Sequence, residues 1–348
     1  MAFAIRSAPP ALALSTDRPP LLTVDARRSL SGSPTRWVDA HHDALRSTVQ
    51  TYGAVLVRGL GLSDPDEIAE VFGVLGSGLL REREAFAPRV PYGGGLYSSS
   101  AWPPGQPMCM HHELSYSDTP PGTLLFACLR APASGGVTGL ADGAAVLAAL
   151  PAQLVTRFER LGWMLVRRFG EDVGASIADA FGTEDPLEVD AYCRAHAIDA
   201  RWDDDGGLVT RQRRSAVVAH PVTGRACWFN QVAFLSEWTL DPEAREFLLD
   251  CYGPDGLPFT TCFGDGEPIG PEIVELLNAT YEAHTLREPW RPGDLMIVDN
   301  IRTAHSREAY VGDREIVVGL TDEVHDLRSP ASPSILTTSP THPEVSTR

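Results

Sequence analysis

Two adjacent histidines and a glutamate lie in the stretch MCMHHELSYS (108–117), and residues of these types bind transition metals. Side chains two apart share one face of a strand, whereas a helix separates them by roughly 200°. A strand here therefore places His111 and Glu113 on one face and turns His112 to the other. The pair alone does not establish a metal site, because a solvated His and Glu at a strand edge have the same spacing.

A third possible ligand lies far along the chain. A mononuclear non-haem iron(II) site needs two histidines and one carboxylate on one face, with open positions left for substrate and oxygen. His305, in VDNIRTAHSRE, follows a buried apolar strand predicted over 294–300. The sequence therefore predicts that His111, Glu113 and His305 converge only through the fold.

An arginine and a threonine are candidates for holding an anionic co-substrate. Arg314 opens an apolar strand predicted over 314–320, where a lone arginine needs an anionic partner. Its planar fork matches a carboxylate bidentately. The alternative is an ion pair with one of the chain's own carboxylates. Thr138, in ASGGVTGLAD, offers a hydroxyl for the same purpose, although a Gly-Gly-x-Thr by itself is merely a turn.

The order of these motifs resembles the taurine dioxygenase (TauD/TfdA) superfamily of iron(II)/2-oxoglutarate enzymes. The resemblance rests on the H-x-E, on PASGGVTGLAD, on HPVTG before WFN, and on GDLMIVDNIRTAHSRE before a distal Arg. Within the superfamily the chain most resembles the branch typified by the syringomycin-pathway aspartyl hydroxylase. That branch has Glu in place of the commoner Asp, in a phrase like H-x-E-x-S-Y (here 111–116). The resemblance covers about residues 50 to 322.

The resemblance implies a site as well as a family. It makes His111, Glu113 and His305 the Fe(II) ligands, and it makes Arg314 and Thr138 the anchors of the 2-oxoglutarate side-chain carboxylate. Some relatives have a longer insert between the distal histidine and this arginine. The short spacing here leaves Arg307 as a competitor for the role of Arg314.

The resemblance also implies a reaction with 2-oxoglutarate and O₂ as co-substrates. The expected reaction is hydroxylation of an unactivated C–H bond, at the β-carbon of an amino acid, in a peptide natural-product pathway such as antibiotic biosynthesis. The amino acid is free or tethered to a carrier protein. Halogenases of this group lack the carboxylate ligand, so Glu113 favours hydroxylation. Desaturation or cyclisation of a small-molecule intermediate remains an alternative, as do a cupin-like binding protein and a zinc hydrolase, which need no anionic pocket.

Several polar residues are further candidates for substrate contacts, each with a structural alternative. The hydroxyls of YSSSAW (97–102) either line a substrate pocket or belong to an edge strand. Asn230 and Arg302, near the metal motifs, either bind a substrate carboxylate or hold the metal loop. The candidates are Ser98, Ser99, Ser100, Asn230 and Arg302. The RQRR run (211–214) is either a solvated strand face or a docking patch for an acidic carrier protein.

The pattern of elements predicts a β-rich α+β fold. Helices are predicted over 38–53, 63–76, 142–162 with a break at Pro151, and 185–196, and strands over 54–59 and 163–169. Many short strands with a few helices favour a double-stranded β-helix (jelly roll) core with peripheral helices. We expect a flexible N-terminal lead over 1–35, a single jelly-roll domain over 36–323 and a disordered tail over 324–348.

Composition narrows the class of protein further. The chain has 348 residues, and its net charge of -17 without a long basic run argues against a nucleic-acid partner. The sequence contains no run of roughly 20 apolar residues, the length that a membrane span needs. The six cysteines are scattered, with no C-x-x-C pair, which predicts reduced thiols and a cytoplasmic location. The oligomeric state is left open.

Overall fold

The computed structural model describes residues 12, 14–170, 174–204, 206–253, 256–327 and 329. The helices are α1 (Pro34–Tyr52), α2 (Pro65–Leu75), α3 (Gly143–Ala149), α4 (Ala152–Leu161), α5 (Ile177–Phe181), α6 (Pro186–Ala195), α7 (Pro242–Tyr252) and α8 (Pro271–Ala283). The strands are β1 (Leu14–Arg18), β2 (Leu21–Asp25), β3 (Ala54–Arg58), β4 (Pro91–Gly93), β5 (Leu96–Ser98), β6 (Met108–His111), β7 (Pro121–Arg130), β8 (Ser134–Gly135), β9 (Thr138–Asp142), β10 (Trp163–Phe169), β11 (Ile198–Trp202), β12 (Leu208–Arg214), β13 (Val217–Ala219), β14 (Ala226–Trp228), β15 (Phe259–Phe263), β16 (Leu286–Arg287), β17 (Leu295–Asp299), β18 (Thr303–Arg307), β19 (Tyr310–Val311) and β20 (Glu315–Glu323).

A large and a small sheet form the core. The large sheet has the order β1-β2-β3-β17-β7-β20-β5-β4, and the small sheet has the order β16-β9-β18-β6. Leu124 and Phe126 of β7 pack into the cluster that also contains Leu140 of β9. The alternate residue Leu125 packs into the cluster that contains Val38 of α1. Because β7 is covered on both faces, it reads as a continuous apolar run. This arrangement confirms the predicted jelly-roll core with peripheral helices.

A third sheet lies outside these two, with the order β11-β12-β10-β15. Its strand β10 is the predicted strand over 163–169, and the predicted break at Pro151 separates α3 from α4. The short hairpin of β13 and β14 flanks the HPVTG turn, as predicted. A proline cannot donate to the helical ladder, which is why the helical pattern is interrupted at Pro151.

The N-terminal segment differs from the prediction. Strand β2 lies parallel to β3 inside the large sheet, with Leu22 opposite Val55, and both side chains are buried. The predicted flexible lead over 1–35 is therefore wrong for residues 14–35, which form strands and the start of α1. Residues 1–11 and 13 lie outside the described residues.

Of the predicted tail over 324–348, residues 328 and 330–348 also lie outside the described residues. Val324 and Leu327 pack beside a small buried cluster of Val218, Phe229 and Ile301. None of the described helices has both the length and the apolar character to cross a bilayer.

Candidate metal centre

The small sheet brings the two histidines together. β6 and β18 are antiparallel neighbours, and His111 lies opposite His305 in their register. Oε2 of Glu113 is 3.9 Å from Nε2 of His111 and 3.6 Å from Nε2 of His305. One ligand atom from each of the three residues fits within 4.8 Å of the others. The structure therefore gathers the three predicted ligands around one point.

The local geometry at Glu113 differs from the predicted strand. β6 ends at His111, and Glu113 lies in the turn that follows, where Leu114 has a φ of 50°. Asn300 holds this turn: its Oδ1 accepts a hydrogen bond from the Glu113 N–H at 2.8 Å, and its Nδ2 donates to the Glu113 carbonyl at 2.9 Å. The sequence contains one signal for Asn300, its position directly after a buried strand, and this signal does not by itself predict a role at the site.

Both histidines predicted to bind the metal are held as neutral imidazoles. Nδ1 of His111 is 2.8 Å from the carbonyl oxygen of Cys109, which can only accept, so Nδ1 bears the proton and Nε2 faces the site with its lone pair. Burial lowers the pKa of His111, although Glu113 opposes the shift. Burial, with help from His111, lowers the pKa of His305 well below its usual value. Neutral imidazole is the form that binds a metal.

His112 is turned away from this point, as predicted. It is fully buried on the other side of the strand, and its Nδ1 is 2.6 Å from the carbonyl oxygen of Asn300. Burial lowers the pKa of His112 to about 4. His112 therefore supports the loop that carries Asn300.

A cavity beside the three ligands contains the predicted carboxylate anchors. This inner cavity is lined by His111, Glu113 and His305 together with Thr138 and Arg314. Nε of Arg314 donates to the Gly136 carbonyl at 3.0 Å, and Nη1 reaches Oγ of Ser99 at 3.4 Å. Burial, with a contribution from Arg307, lowers the pKa of Arg314 to about 10.

No carboxylate among the described residues lies within ion-pair distance of Arg314. The predicted alternative, an ion pair with the chain's own acids, is therefore not found in this part of the chain. Thr138 is buried, and its Oγ1 accepts a hydrogen bond from Nε1 of Trp290 at 3.1 Å. A buried guanidinium that lacks an anion, with a hydroxyl in the same cavity, fits the side-chain carboxylate of a dicarboxylic acid.

Arg307 also lines the inner cavity, but its two terminal nitrogens are bound. Nη1 donates to the Trp102 carbonyl at 3.1 Å, and Nη2 donates to the carbonyls of Pro103 and Gln106 at 2.8 and 2.6 Å. Three backbone carbonyls give Arg307 a structural role in holding the loop over 102–106. This difference favours Arg314 over Arg307 as the anion-binding arginine.

The predicted substrate residues separate into two groups. Ser99 and Ser100 line the inner cavity, whereas Oγ of Ser98 accepts a hydrogen bond from the Val90 N–H at 2.9 Å. Arg302 donates through Nε and Nη2 to Asp142, and Asn230 donates to the Ala216 carbonyl. Neither Arg302 nor Asn230 lines the inner cavity. The prediction of substrate contacts is wrong for these two residues, since their polar groups hold the backbone and Asp142.

The RQRR run is not a uniform basic face. Gln212 is buried between Arg211 and Arg213, as expected from strand alternation. Arg214 donates through Nη2 to the His196 carbonyl at 2.9 Å. A docking patch would therefore rely on the outward side of β12 alone.

One charged residue of the site was not predicted. Arg89 lies between two carboxylates: its Nη2 is 3.0 Å from Oε1 of Glu113, and its Nε is 3.1 Å from Oε1 of Glu82. Burial by itself would lower the pKa of Arg89, but Glu113 and Glu82 outweigh burial and raise it. The Pro-flanked sequence around Arg89 has no spacing that would identify it.

The donor set fits iron. Two neutral imidazoles and one carboxylate on one side of a buried point make the facial arrangement that non-haem iron(II) uses, with the opposite side left for other ligands. A closed structural zinc site would need a fourth protein ligand, and none lies with these three among the described residues. The same inner cavity supplies the cation that a dicarboxylic co-substrate requires.

Comparisons with known proteins agree with this geometry. The model of the family "Taurine catabolism dioxygenase TauD, TfdA family" matches residues 17–321. The dapdiamide synthesis protein DdaC of Enterobacter agglomerans is 32% identical over 284 residues, which cover 82% of this chain and 86% of that protein.

Solved structures are similar in fold. A putative α-ketoglutarate-dependent taurine dioxygenase from Burkholderia xenovorans superposes with a TM-score of 0.52 at 16% identity, covering 91% of each chain. AAD-2, solved with Mn(II) and N-oxalylglycine, has a TM-score of 0.50 at 16% identity, covering 91% of this chain and all of that one.

Proposed function

Since the chain belongs to the TauD/TfdA family and is a 2-oxoglutarate-dependent dioxygenase, we propose that it hydroxylates an unactivated C–H bond of an amino acid. The bond is that of the β-carbon, and the amino acid is free or tethered to a carrier protein in a peptide natural-product pathway. Two observations support the pathway: the 32% identity to a dapdiamide synthesis protein, and the H-x-E-x-S-Y phrase of the syringomycin-type branch.

The bound cofactors supply the oxidation. With Fe(II) in place, O₂ and 2-oxoglutarate are consumed, succinate and CO₂ are released, and one oxygen atom enters the substrate as a hydroxyl group. His111, Glu113 and His305 hold the metal through Nε2, a carboxylate oxygen and Nε2. Arg314 and Thr138 hold the far carboxylate of 2-oxoglutarate. All five side chains are largely buried, which keeps water from the reacting bond.

The observation that carries the proposal is the state of Arg314. This guanidinium is buried beside the three ligands, and no described carboxylate pairs with it. A charge buried without a partner is costly, so its retention here is accounted for by an anion that arrives with the reaction. 2-Oxoglutarate has a second carboxylate beyond its metal-chelating end, which suits a guanidinium in the same cavity as the three ligands.

The proposal is tested by succinate release over the twenty free amino acids, run beside the same residues loaded on a carrier domain. We expect one amino acid, free or loaded, to stimulate succinate release well above the substrate-free rate. Mass spectrometry of its product should find one added oxygen atom. Loss of two hydrogens instead would establish desaturation or ring closure. Stimulation only by a sulfonate or an aryloxy acid would refute the amino-acid assignment.

A further inference from the structure

We infer that a second, larger cavity receives the substrate, and that Arg89 and Glu82 bind the carboxylate and the ammonium group of a free amino acid. This inference rests on the proposed function and narrows it to one form of substrate. The cavity, here called the outer chamber, is lined by residues that include Glu82, Phe86, Arg89, Tyr97, Leu235 and Phe259.

The outer chamber has the size and the position that a substrate site needs. Its volume is about 580 Å³, within the range of small-molecule sites, whereas the inner cavity has about 50 Å³ of open space. The outer chamber therefore offers a substrate far more open space than the inner cavity does. Arg89 is the one described residue that lines both cavities. The Arg89 side chain is therefore a wall that the two cavities share.

The aromatic wall of the outer chamber continues to a metal ligand. The ring of Phe86 packs edge-on against Phe234, with centroids 4.9 Å apart. Phe234 in turn stacks on His111, with centroids 4.5 Å apart. Phe86, in the wall of the outer chamber, is thus separated from His111 by a single aromatic ring.

The number of carboxylates that neutralise Arg89 depends on whether a metal is bound. Its side chain is only 5% exposed and contacts two carboxylates, Glu113 and Glu82. A bound metal takes up the charge of Glu113, which leaves Glu82 as the only described carboxylate dedicated to Arg89. Nη1 of Arg89 makes no hydrogen bond to the described residues. The guanidinium is thus able to accept a substrate carboxylate as a second partner.

Glu82 is complementary to an ammonium group. Its side chain is 8% exposed, and Arg89 is its only ionic partner among the described residues. A zwitterion inserted between Glu82 and Arg89 gives each buried charge an opposite charge and leaves the net charge of the site unchanged. A carrier-tethered aminoacyl group has an ammonium but no α-carboxylate, so Arg89 would be left facing the metal without a second anion. The pair therefore fits a free amino acid.

The experiment combines two variants with two blocked substrates. For the amino acid that best stimulates succinate release, the methyl ester removes the carboxylate charge and the N-acetyl derivative removes the ammonium charge. KM is measured for all three compounds with the wild type, Arg89→Gln and Glu82→Gln. Arg83→Gln is the matched control, because Arg83 lies in the same segment but is exposed and outside the chamber.

We expect the wild type to bind the methyl ester about 100-fold more weakly than the free acid. Arg89→Gln should weaken the free acid about 100-fold and abolish most of the difference between acid and ester. Glu82→Gln should weaken binding of the free amino acid and abolish most of the difference between it and the N-acetyl derivative. Arg83→Gln should change neither the acid-to-ester ratio nor the ratio of free amino acid to N-acetyl derivative. Binding of Mn(II) with N-oxalylglycine, measured by calorimetry, identifies any variant that has lost the metal site. In that case Arg89→Lys, which keeps the charge beside Glu113, replaces Arg89→Gln.

An acid-to-ester ratio near one in the wild type, or an unchanged ratio in Arg89→Gln, would overturn the inference. Turnover of the carrier-loaded amino acid at least as fast as the free one would also overturn it while leaving the proposed function intact. Acceptance of another acid in place of every amino acid would refute the proposed function, and the same ester comparison on that acid would then decide the role of Arg89. Turnover of none of these compounds would overturn both.

Discussion

The two cavities that meet at Arg89 are built from different kinds of structure. The inner cavity lies between sheets: His111 is on β6, Thr138 on β9, His305 on β18, and Arg314 directly precedes β20. The outer chamber takes Glu82, Phe86 and Arg89 from the loop between α2 and β4, and the segment 174–176 and the strand residues Tyr97 and Phe259 complete its wall.

This difference corresponds to the two kinds of molecule involved. The residues of the inner cavity named above lie in or directly beside strands that have neighbours, and Asn300 fixes the turn at Glu113, so the metal and 2-oxoglutarate would meet side chains held in one geometry. Loop residues can change in length and type without disturbing the sheets, so substrate preference can change while the chemistry stays constant. The inner cavity should therefore determine whether the oxidation proceeds, and the outer chamber should determine which substrate is oxidised.

The largest expected effect is on the metal ligands. Glu113→Ala or His305→Ala should abolish substrate-dependent succinate formation, because each removes a ligand to the iron. His112→Ala is the matched control, since it removes a neighbouring imidazole that is not a ligand, and it should lower stability more than turnover. Retention of more than about a tenth of wild-type turnover, a loss of only about 1.4 kcal/mol, in either ligand variant would contradict the assignment.

The next largest effect is expected at Arg314. Removing one partner of a buried charged pair typically costs about 3–5 kcal/mol, so Arg314→Gln should raise the KM for 2-oxoglutarate by at least about 100-fold. The KM for substrate should change much less. Arg307→Gln should instead lower the free energy of unfolding, because three backbone carbonyls lose their donors. If Arg307→Gln raised the KM for 2-oxoglutarate more than Arg314→Gln did, Arg307 would be the arginine that binds the carboxylate.

A smaller effect is expected at Thr138. One hydrogen bond contributes about 0.5–1.5 kcal/mol, so Thr138→Val should raise the KM for 2-oxoglutarate by roughly 2- to 10-fold. Thr138→Ser keeps the hydroxyl and should stay near the wild-type value. Equal effects of Val and Ser would mean that the methyl group, and not the hydroxyl, is what matters at this position.

The smallest effect is expected in the outer chamber. Phe86→Leu keeps an apolar side chain but removes the ring that packs on Phe234. It should change the KM for substrate severalfold while the KM for 2-oxoglutarate stays constant. It should also increase the uncoupled reaction, in which succinate is released without oxidation of the substrate. If the 2-oxoglutarate requirement rose instead, the division of roles between the two cavities would be incorrect.

The residues of the site differ in how far the sequence alone predicts their role. His111, Glu113 and His305 follow from residue types with strict chemical requirements, and Arg314 from a charge at the start of an apolar strand. Asn300 and Arg89 have no such requirement in their local sequence; they were found through the contacts that bring each of them to Glu113.

Elements of the fold with a local sequence pattern were predictable. The prediction failed for the element that depends on pairing with a distant part of the chain. The buried strands β17 and β20 are apolar runs of the right length, and α4 and α6 have clear ends. β2 is a short run after Pro19 and Pro20, and its partner β3 lies beyond the whole of α1. Parallel pairing across such a distance leaves no local pattern, so the sequence alone predicts a flexible lead for this segment.

The central claim is that the three ligands and Arg314 hold Fe(II) and 2-oxoglutarate together. It is tested most directly by anaerobic titration of the metal-loaded protein with 2-oxoglutarate, followed by visible absorbance. We expect a weak charge-transfer band that saturates at one equivalent, and a much higher 2-oxoglutarate requirement for the same band in Arg314→Gln. A protein that binds Fe(II) but gives no band with 2-oxoglutarate would contradict the claim.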